Sequence, residues 1–147
     1  MGNSKSEKIL FVCTGNSCRS VMAEGYFNKR ALESKLEARA ESAGVSPLEG
    51  MRPTDQACRV LARENINMDG HLARRIDIDM VNRASNIYAM DEFHKSYILQ
   101  KFPNAKGKVK LLRPYNIIDP IGKPLEVYER IFEEIREGAE RIICELQ

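Results

Sequence analysis

Short apolar runs alternate along this chain with longer stretches in which apolar residues recur every three or four positions. Lys8–Cys13, Ala38–Ser42, Asn86–Met90 and Lys108–Leu112 are brief and apolar or β-prone, and are expected to be strands. Ser20–Leu36 has helical spacing, with Met22, Ala23, Tyr26, Phe27 and Ala31 on one face and Ser20 as its expected N-cap. Thr54–Glu64 is expected to be a helix capped by Thr54, with Ala57, Cys58, Val60 and Leu61 inward. Asp91–Lys101 opens with acidic residues that suit a helix N-terminus. Leu125–Leu146 carries Val127, Ile131, Ile135, Ala139, Ile142 and Ile143 along one side. Alternation of this kind predicts an α/β domain: a four-stranded parallel sheet flanked by helices on both faces, joined by right-handed crossovers. RPYNIIDPIGKP (Arg113–Pro124) holds three prolines and one glycine in twelve residues, which excludes helix or central strand there.

The 147 residues suit one domain, read as a polar, disordered tail over 1–7 and a single folded unit over 8–147. A formal net charge of +2 excludes a general nucleic-acid or membrane surface, so any anion site is local. No apolar run approaches the roughly 18 residues of a membrane span. Met1–Lys8 lacks the apolar core of a signal peptide. MGNSKS matches the N-myristoylation pattern at Gly2, against the plainer reading of a polar start. Four cysteines without a Cys-x-x-Cys pair point to a reducing cytoplasm, not a disulfide framework. A monomer is expected.

FVCTGNSCRS (Phe11–Ser20) changes the picture most. Cys13 ends the first expected strand, and a helix begins near Ser20. Ligands of open parallel sheets bind beyond the carboxyl ends of the strands. Thr14, Gly15, Asn16, Ser17 and Cys18 are small or polar and allow the backbone N–H groups to curl around an anion. Gly15 permits a positive φ or a close approach, and Asn16 tolerates a left-handed turn. The helix N-terminus adds partial positive charge, and Arg19 supplies a planar fork for two phosphate oxygens. The Walker spacing and its lysine are missing, so what lies under the phosphate is a thiol. Donors that bind a dianion also stabilise a thiolate, and Ser20 adds a hydroxyl. Cys13 is therefore the expected nucleophile, although a free cysteine at a strand end is commonly a packing residue. Expulsion of a poor leaving group needs an acid. Asp119 is the candidate, in a loop stiffened by Pro120.

CTGNSCRS, SAG (Ser42–Gly44), HLAR (His71–Arg74), Met90-Asp91 and Asp119-Pro120, in that order, resemble the low-molecular-weight protein tyrosine phosphatase family from Lys8 onward. The resemblance implies a flavodoxin-like fold and chemistry without metal or cofactor. It implies Cys13 as a nucleophile that forms a phosphocysteine, Arg19 as transition-state cation, and Asp119 as acid and then base. Asn16 and Ser20 match loop-shaping and thiolate-stabilising residues. Cys18 matches a second loop cysteine able to form a reversible disulfide with Cys13. The implied partners are phosphorylated proteins.

Three positions depart from the tyrosine-specific pattern: Ser17 replaces an aliphatic residue, Ile121 and Gly122 follow Asp-Pro instead of aromatics, and Val21 replaces a proline. At the first two the chain resembles the protein arginine phosphatases, which carry a polar residue before the second cysteine and an Asp-Pro-x-Gly loop. Phosphotyrosine is thus the family default and phosphoarginine the rival. Arsenate reduction relays oxidation to further cysteines, and none lies between Asp69 and Ile143. A non-catalytic phosphate-binding module needs neither Cys13 nor Asp119. His71 and His94 lack the spacing of a zinc site; His71 is expected to support the loop and His94 to sit on an exposed helix face. Cys58 and Cys144 are expected to pack on apolar helix faces. Arg74 and Arg75 read as surface charge. Tyr115 is expected either to line the substrate wall or to pack under the loop, with Ser17 and Ile121 as the other wall residues.

Overall fold

The central strand β1 (Glu7–Cys13) is buried on both faces because its side chains alternate between two cores. Ile9, Phe11 and Cys13 point into one, Leu10 and Val12 into the other. This computed structural model describes residues 6–147, so the reading of Gly2 lies outside the described residues. β2 (Ala38–Gly44), β1, β3 (Asn86–Ala89) and β4 (Val109–Leu111) form one sheet in that order, and every pairing is parallel. Helices α1 (Arg19–Glu33), α2 (Asp55–Ala62) and α5 (Leu125–Leu146) cover the first face. α3 (Ile78–Arg83) and α4 (Glu92–Lys101) cover the second. Phe11 meets Phe27 of α1 edge to face at 6.0 Å, which ties the sheet to the helix that follows the loop.

The strand order runs outward from β1 in one direction to β2 and in the other to β3. The crevice at this reversal opens at the carboxyl ends of β1 and β3, where Cys13 and Met90-Asp91 stand. The expected fold class is the observed one. The first strand begins at Glu7, one residue earlier than the apolar run suggests, through the parallel register of Glu7 with Ala38. α1 ends at Glu33 instead of continuing to Leu36, because Lys35 turns into the left-handed region and the Leu36 N–H bonds back to Ala31. α3 was absent from the periodicity reading: its six residues are too few to show a period, and its signal is the cap, Asp77 accepting from the Met80 N–H at 2.9 Å.

Where α5 crosses the end of β4, Gly138 makes the close approach. A Cβ there would lie 2.6 Å from Leu112 Cγ and 3.2 Å from the Leu112 carbonyl oxygen. Gly138→Ala is expected to lower the unfolding free energy by about 1–3 kcal/mol, the usual cost of overpacking, in urea denaturation followed by circular dichroism. An unchanged or raised midpoint would show that Leu112 yields freely.

Candidate active site

The loop between β1 and α1 is built around Asn16. Its backbone takes φ 54°, the left-handed conformation that Asn accepts more readily than most residues. Gly15, the expected site of that freedom, does not use it; a Cβ at Gly15 would meet only Ser17 Oγ at 3.6 Å. The glycine the loop does require is Gly44 at the end of β2. A Cβ there would lie 2.5 Å from the Thr14 carbonyl oxygen and 3.2 Å from the Asn16 nitrogen, so only hydrogen lets the loop settle on the strand.

The Asn16 side chain is fully buried, and its neighbours fix which way its amide points. The Arg74 backbone N–H can only donate, and it meets Asn16 Oδ1 at 3.1 Å. Nδ2 therefore faces the other way and donates to Ser20 Oγ at 2.8 Å and Ser42 Oγ at 3.0 Å. Ser20, its lone pair taken, turns its hydroxyl proton to Cys13 Sγ at 2.9 Å. The Asn16 N–H also reaches Cys13 Sγ, at 3.3 Å. Ser42 passes its own proton to Glu24 Oε1 at 2.6 Å. His71 Nε2 stands 3.1 Å from Asn16 Oδ1 and 3.2 Å from the Asn16 carbonyl oxygen, both acceptors, so it carries the proton. Burial, assisted by Arg74, pushes the His71 pKa down, while burial raises that of Glu24.

Arg19 is 2% exposed. Its Nη1 donates to the Ile117 carbonyl at 2.7 Å and lies 3.5 Å from Asp91 Oδ2. Its Nη2 reaches Thr14 Oγ1 at 3.4 Å and Asp119 Oδ2 at 3.6 Å. Arg19 Nε is buried without a partner in the protein. Asp119 comes to the loop from the far end of the chain, held by the Ile121 N–H at 3.1 Å and by the Cys18 thiol at 3.7 Å. Burial first, then the nearby Cys13 and Asp119, push the Cys18 pKa up to about 12, so this thiol stays neutral and donates. Among the expected wall residues, Ile121 is half exposed, and Tyr115 is partly exposed with Arg113 over its ring at 5.5 Å. Ser17 is buried in the loop, its carbonyl accepting from the Thr54 N–H at 3.0 Å.

Several sequence expectations are corrected here. Ser20 does not cap α1; the helix starts at Arg19, with Cys18 in the cap position making no side-chain bond, because the Ser20 hydroxyl is committed to sulfur. His94 is not on an exposed face. It is fully buried against the loop, bonded through Nε2 to Thr14 Oγ1 at 2.8 Å. Arg74 and Arg75 do carry charge at the surface, and their guanidinium groups also reach the Ser42 and Val45 carbonyls. Cys144 is exposed rather than packed, and Cys58 is half-buried. Nothing in the sequence signals Glu24, and it places Asp91 only at a helix N-terminus and in the Met90-Asp91 pair of the resemblance. Asp91 does cap α4, accepting from the His94 N–H at 3.0 Å, but it also faces Arg19.

A strand, a tight anion-sized loop and a helix, with a thiol beneath and an arginine and a carboxylate beside it, define a phosphate-handling site of the cysteine-dependent kind. A model of the low molecular weight phosphotyrosine protein phosphatase family matches residues 8–147, and the chain belongs to that family of hydrolases. It is 34% identical over 146 residues to a protein-arginine-phosphatase of Geobacillus stearothermophilus, covering 95% of this chain and 96% of the relative. It is 31% identical over 136 residues to the low molecular weight protein-tyrosine-phosphatase Etp of Escherichia coli K12, covering 90% and 89%. Among solved structures, a low molecular weight protein tyrosine phosphatase from T. tengcongensis superposes with a TM-score of 0.93 at 34% identity, over 96% of this chain and 100% of that one. No helix among the described residues is long and apolar enough to cross a membrane.

Two outcomes test this geometry. Gly44→Ala is expected to displace Thr14 and cut kcat/KM by roughly 100-fold, the order of loss that a 1 Å misplacement brings, with the far-ultraviolet circular dichroism kept. Full activity would show that the Gly44 contact does not set the loop. Burial also pushes His94 down to about 4, so its neutral form is favoured by folding. Stability from this group is complete above about pH 6.5 and falls as pH drops towards 4, whereas the raised Glu24 acts in the opposite sense. The difference in unfolding free energy between wild type and His94→Gln is expected to shrink over that window; a difference constant with pH would contradict it.

Proposed function

We propose that this phosphatase acts on phosphorylated protein side chains through a phosphocysteine at Cys13, with phosphoarginine the substrate its site fits best. The observation that carries the substrate reading is the acid loop. After Asp119-Pro120 come the half-exposed aliphatic Ile121 and then Gly122 at φ 76°, a conformation that a bulky aromatic residue would hold only under strain. The two positions after Asp119-Pro120 therefore offer no aromatic face to a substrate phenyl ring. The exposed Tyr115 of the same loop is covered on one side by Arg113, and polar Ser17 stands where an aliphatic residue would favour such a ring. Phosphotyrosine is the second reading, favoured by the tyrosine phosphatases among the relatives.

The phosphoryl group sits in the loop, its oxygens taking the backbone N–H groups and the Nε and Nη2 edge of Arg19, where Nε has no partner in the protein and Nη2 also reaches Thr14 and Asp119. With Nη1 occupied by Ile117 and Asp91, that edge is the one left for a bidentate grip. Cys13, stabilised as thiolate by Ser20 and the Asn16 N–H, attacks phosphorus in line. As the S–P bond forms, the P–N bond of phosphoarginine breaks, or the P–O bond of phosphotyrosine. Asp119 gives the leaving group its proton. Water then attacks the phosphocysteine, Asp119 takes back a proton, and the S–P bond breaks to release phosphate and the thiolate. Arg19 stabilises the charge spread over the equatorial oxygens in both steps. A reduced Cys13 requires a reducing compartment, and the cytoplasm suits it. Under oxidation the neighbouring Cys18 is the partner for a protective disulfide.

Matched phosphoarginyl and phosphotyrosyl peptides test this, with Cys13→Ala as the blank. The expected result is a higher kcat/KM on phosphoarginine, with Asp119→Asn lowering kcat by roughly 100- to 10,000-fold, the range of general-acid contributions. Preference for phosphotyrosine would overturn the substrate reading alone; turnover by Cys13→Ala would overturn the mechanism.

A further inference from the structure

Asp91, His94 and Thr14 close a ring with Arg19, and of the four only Arg19 meets the phosphoryl group in the steps above. Asp91 Oδ1 accepts from the His94 N–H at 3.0 Å and lies 3.1 Å from His94 Nδ1. A carboxylate oxygen that close to a bare nitrogen lone pair is repelled, so the imidazole proton belongs on Nδ1. Nε2 is then an acceptor, and the Thr14 hydroxyl, 2.8 Å away, is its donor. Arg19 supplies an independent check: its Nη2 can only donate, so Thr14 Oγ1 must accept it, at 3.4 Å, and the Thr14 proton is free to point at His94. The circuit closes where Arg19 Nη1 stands 3.5 Å from Asp91 Oδ2. His94 Nδ1 makes no aligned hydrogen bond, so its link to Asp91 is a close charge contact, while the two directions at Thr14 agree with each other.

We propose that His94 is a positioning residue of the phosphatase reaction, receiving the Thr14 hydroxyl and thereby fixing the edge of Arg19 that grips the transferred phosphoryl group. The proposal rests on Arg19 being the phosphate-binding cation. His94 lies 80 residues from Thr14 in sequence, on a different helix, and makes its side-chain bond to the loop instead of to α4. It has no exposure, so water does not compete for Nε2. Burial keeps it neutral despite Asp91 and Asp119, with Arg19 acting in the same sense as burial. Neutrality matters because a second cation here would draw Asp91 away from Arg19. Free rotation of the Arg19 fork would scatter the Nε and Nη2 donors, and geometry of this kind is worth large factors in rate.

The test is a double-mutant cycle in the full chain, with kcat, KM and the inhibition constant of inorganic phosphate measured at neutral pH. Thr14→Val removes the hydroxyl at nearly constant volume; His94→Ala removes the acceptor. Each is expected to lower kcat by roughly 10- to 100-fold and to weaken phosphate inhibition. If the two act through one ring, the double variant is no worse than either single one, within a factor of about 2. Thr14→Ser and His94→Gln, which keep a donor and an acceptor, are expected to recover most of the rate. Effects that multiply in the double variant would overturn the ring, and so would a Thr14→Val enzyme with unchanged kcat, which stands even if His94→Ala fails to fold. Arg19→Lys separates the two levels: full activity in that variant would remove the phosphate-binding role of Arg19 itself, whereas a dead Arg19→Lys beside multiplying ring variants removes only the role of His94.

Discussion

One buried amide, that of Asn16, sets the polarity of everything around the reactive sulfur. The Arg74 N–H decides which end of the amide is oxygen. The other end then donates to Ser20, and Ser20 has a proton left only for Cys13. The left-handed backbone at Asn16 costs about 1–3 kcal/mol for a non-glycine residue, and its side chain and backbone offset this with several hydrogen bonds at about 1 kcal/mol each. A strained residue held by its own side chain is rigid, and rigidity is what an anion-binding loop requires. Gly44 serves the same end by letting Thr14 and Asn16 rest against β2.

Around that loop, charge is distributed with economy. Among the described residues Arg19 is the one cation buried at the loop, balanced by Asp91 on one edge and Asp119 on the other. Both histidines are kept neutral by burial, and the Cys18 thiol is held protonated by burial next to Cys13 and Asp119. In the proposed reaction an incoming phosphoryl group meets a positive edge already balanced by Asp91 and Asp119. Asp119 is the exposed one of the two acids, which suits a group that must exchange a proton with water.

Much of this was legible in the sequence, and the failures have physical reasons. The sheet, the succession of elements along the chain and the long final helix follow from periodicity, because both faces of β1 and one face of α5 are apolar. The loop is local, seven residues of backbone logic, and so could be read directly. What stayed hidden is what tertiary packing brings to it. Glu24 looks like any charged residue of a surface helix, yet it ends a chain of hydrogen bonds from Asn16 through Ser42. His94 has a charged neighbour and a helical position that suggest solvent; only the packing of α4 against β3 and β4, which brings His94 to Thr14, buries it. Ser20 had the right identity for a cap and a different task. The spacing of Gly44 from the loop, 29 residues on from Gly15, carries no signal until the β1–β2 register aligns Cys13 with Gly44.

The central claim is that Cys13 carries the phosphoryl group during turnover. Rapid acid quench of the enzyme with a phosphorylated peptide, followed by mass spectrometry of its proteolytic fragments, tests it directly. The account expects one phosphoryl group on the fragment that contains Cys13 during turnover, and none in Cys13→Ala. Turnover with no such adduct, or with the phosphoryl group on another side chain of the wild-type enzyme, would contradict it.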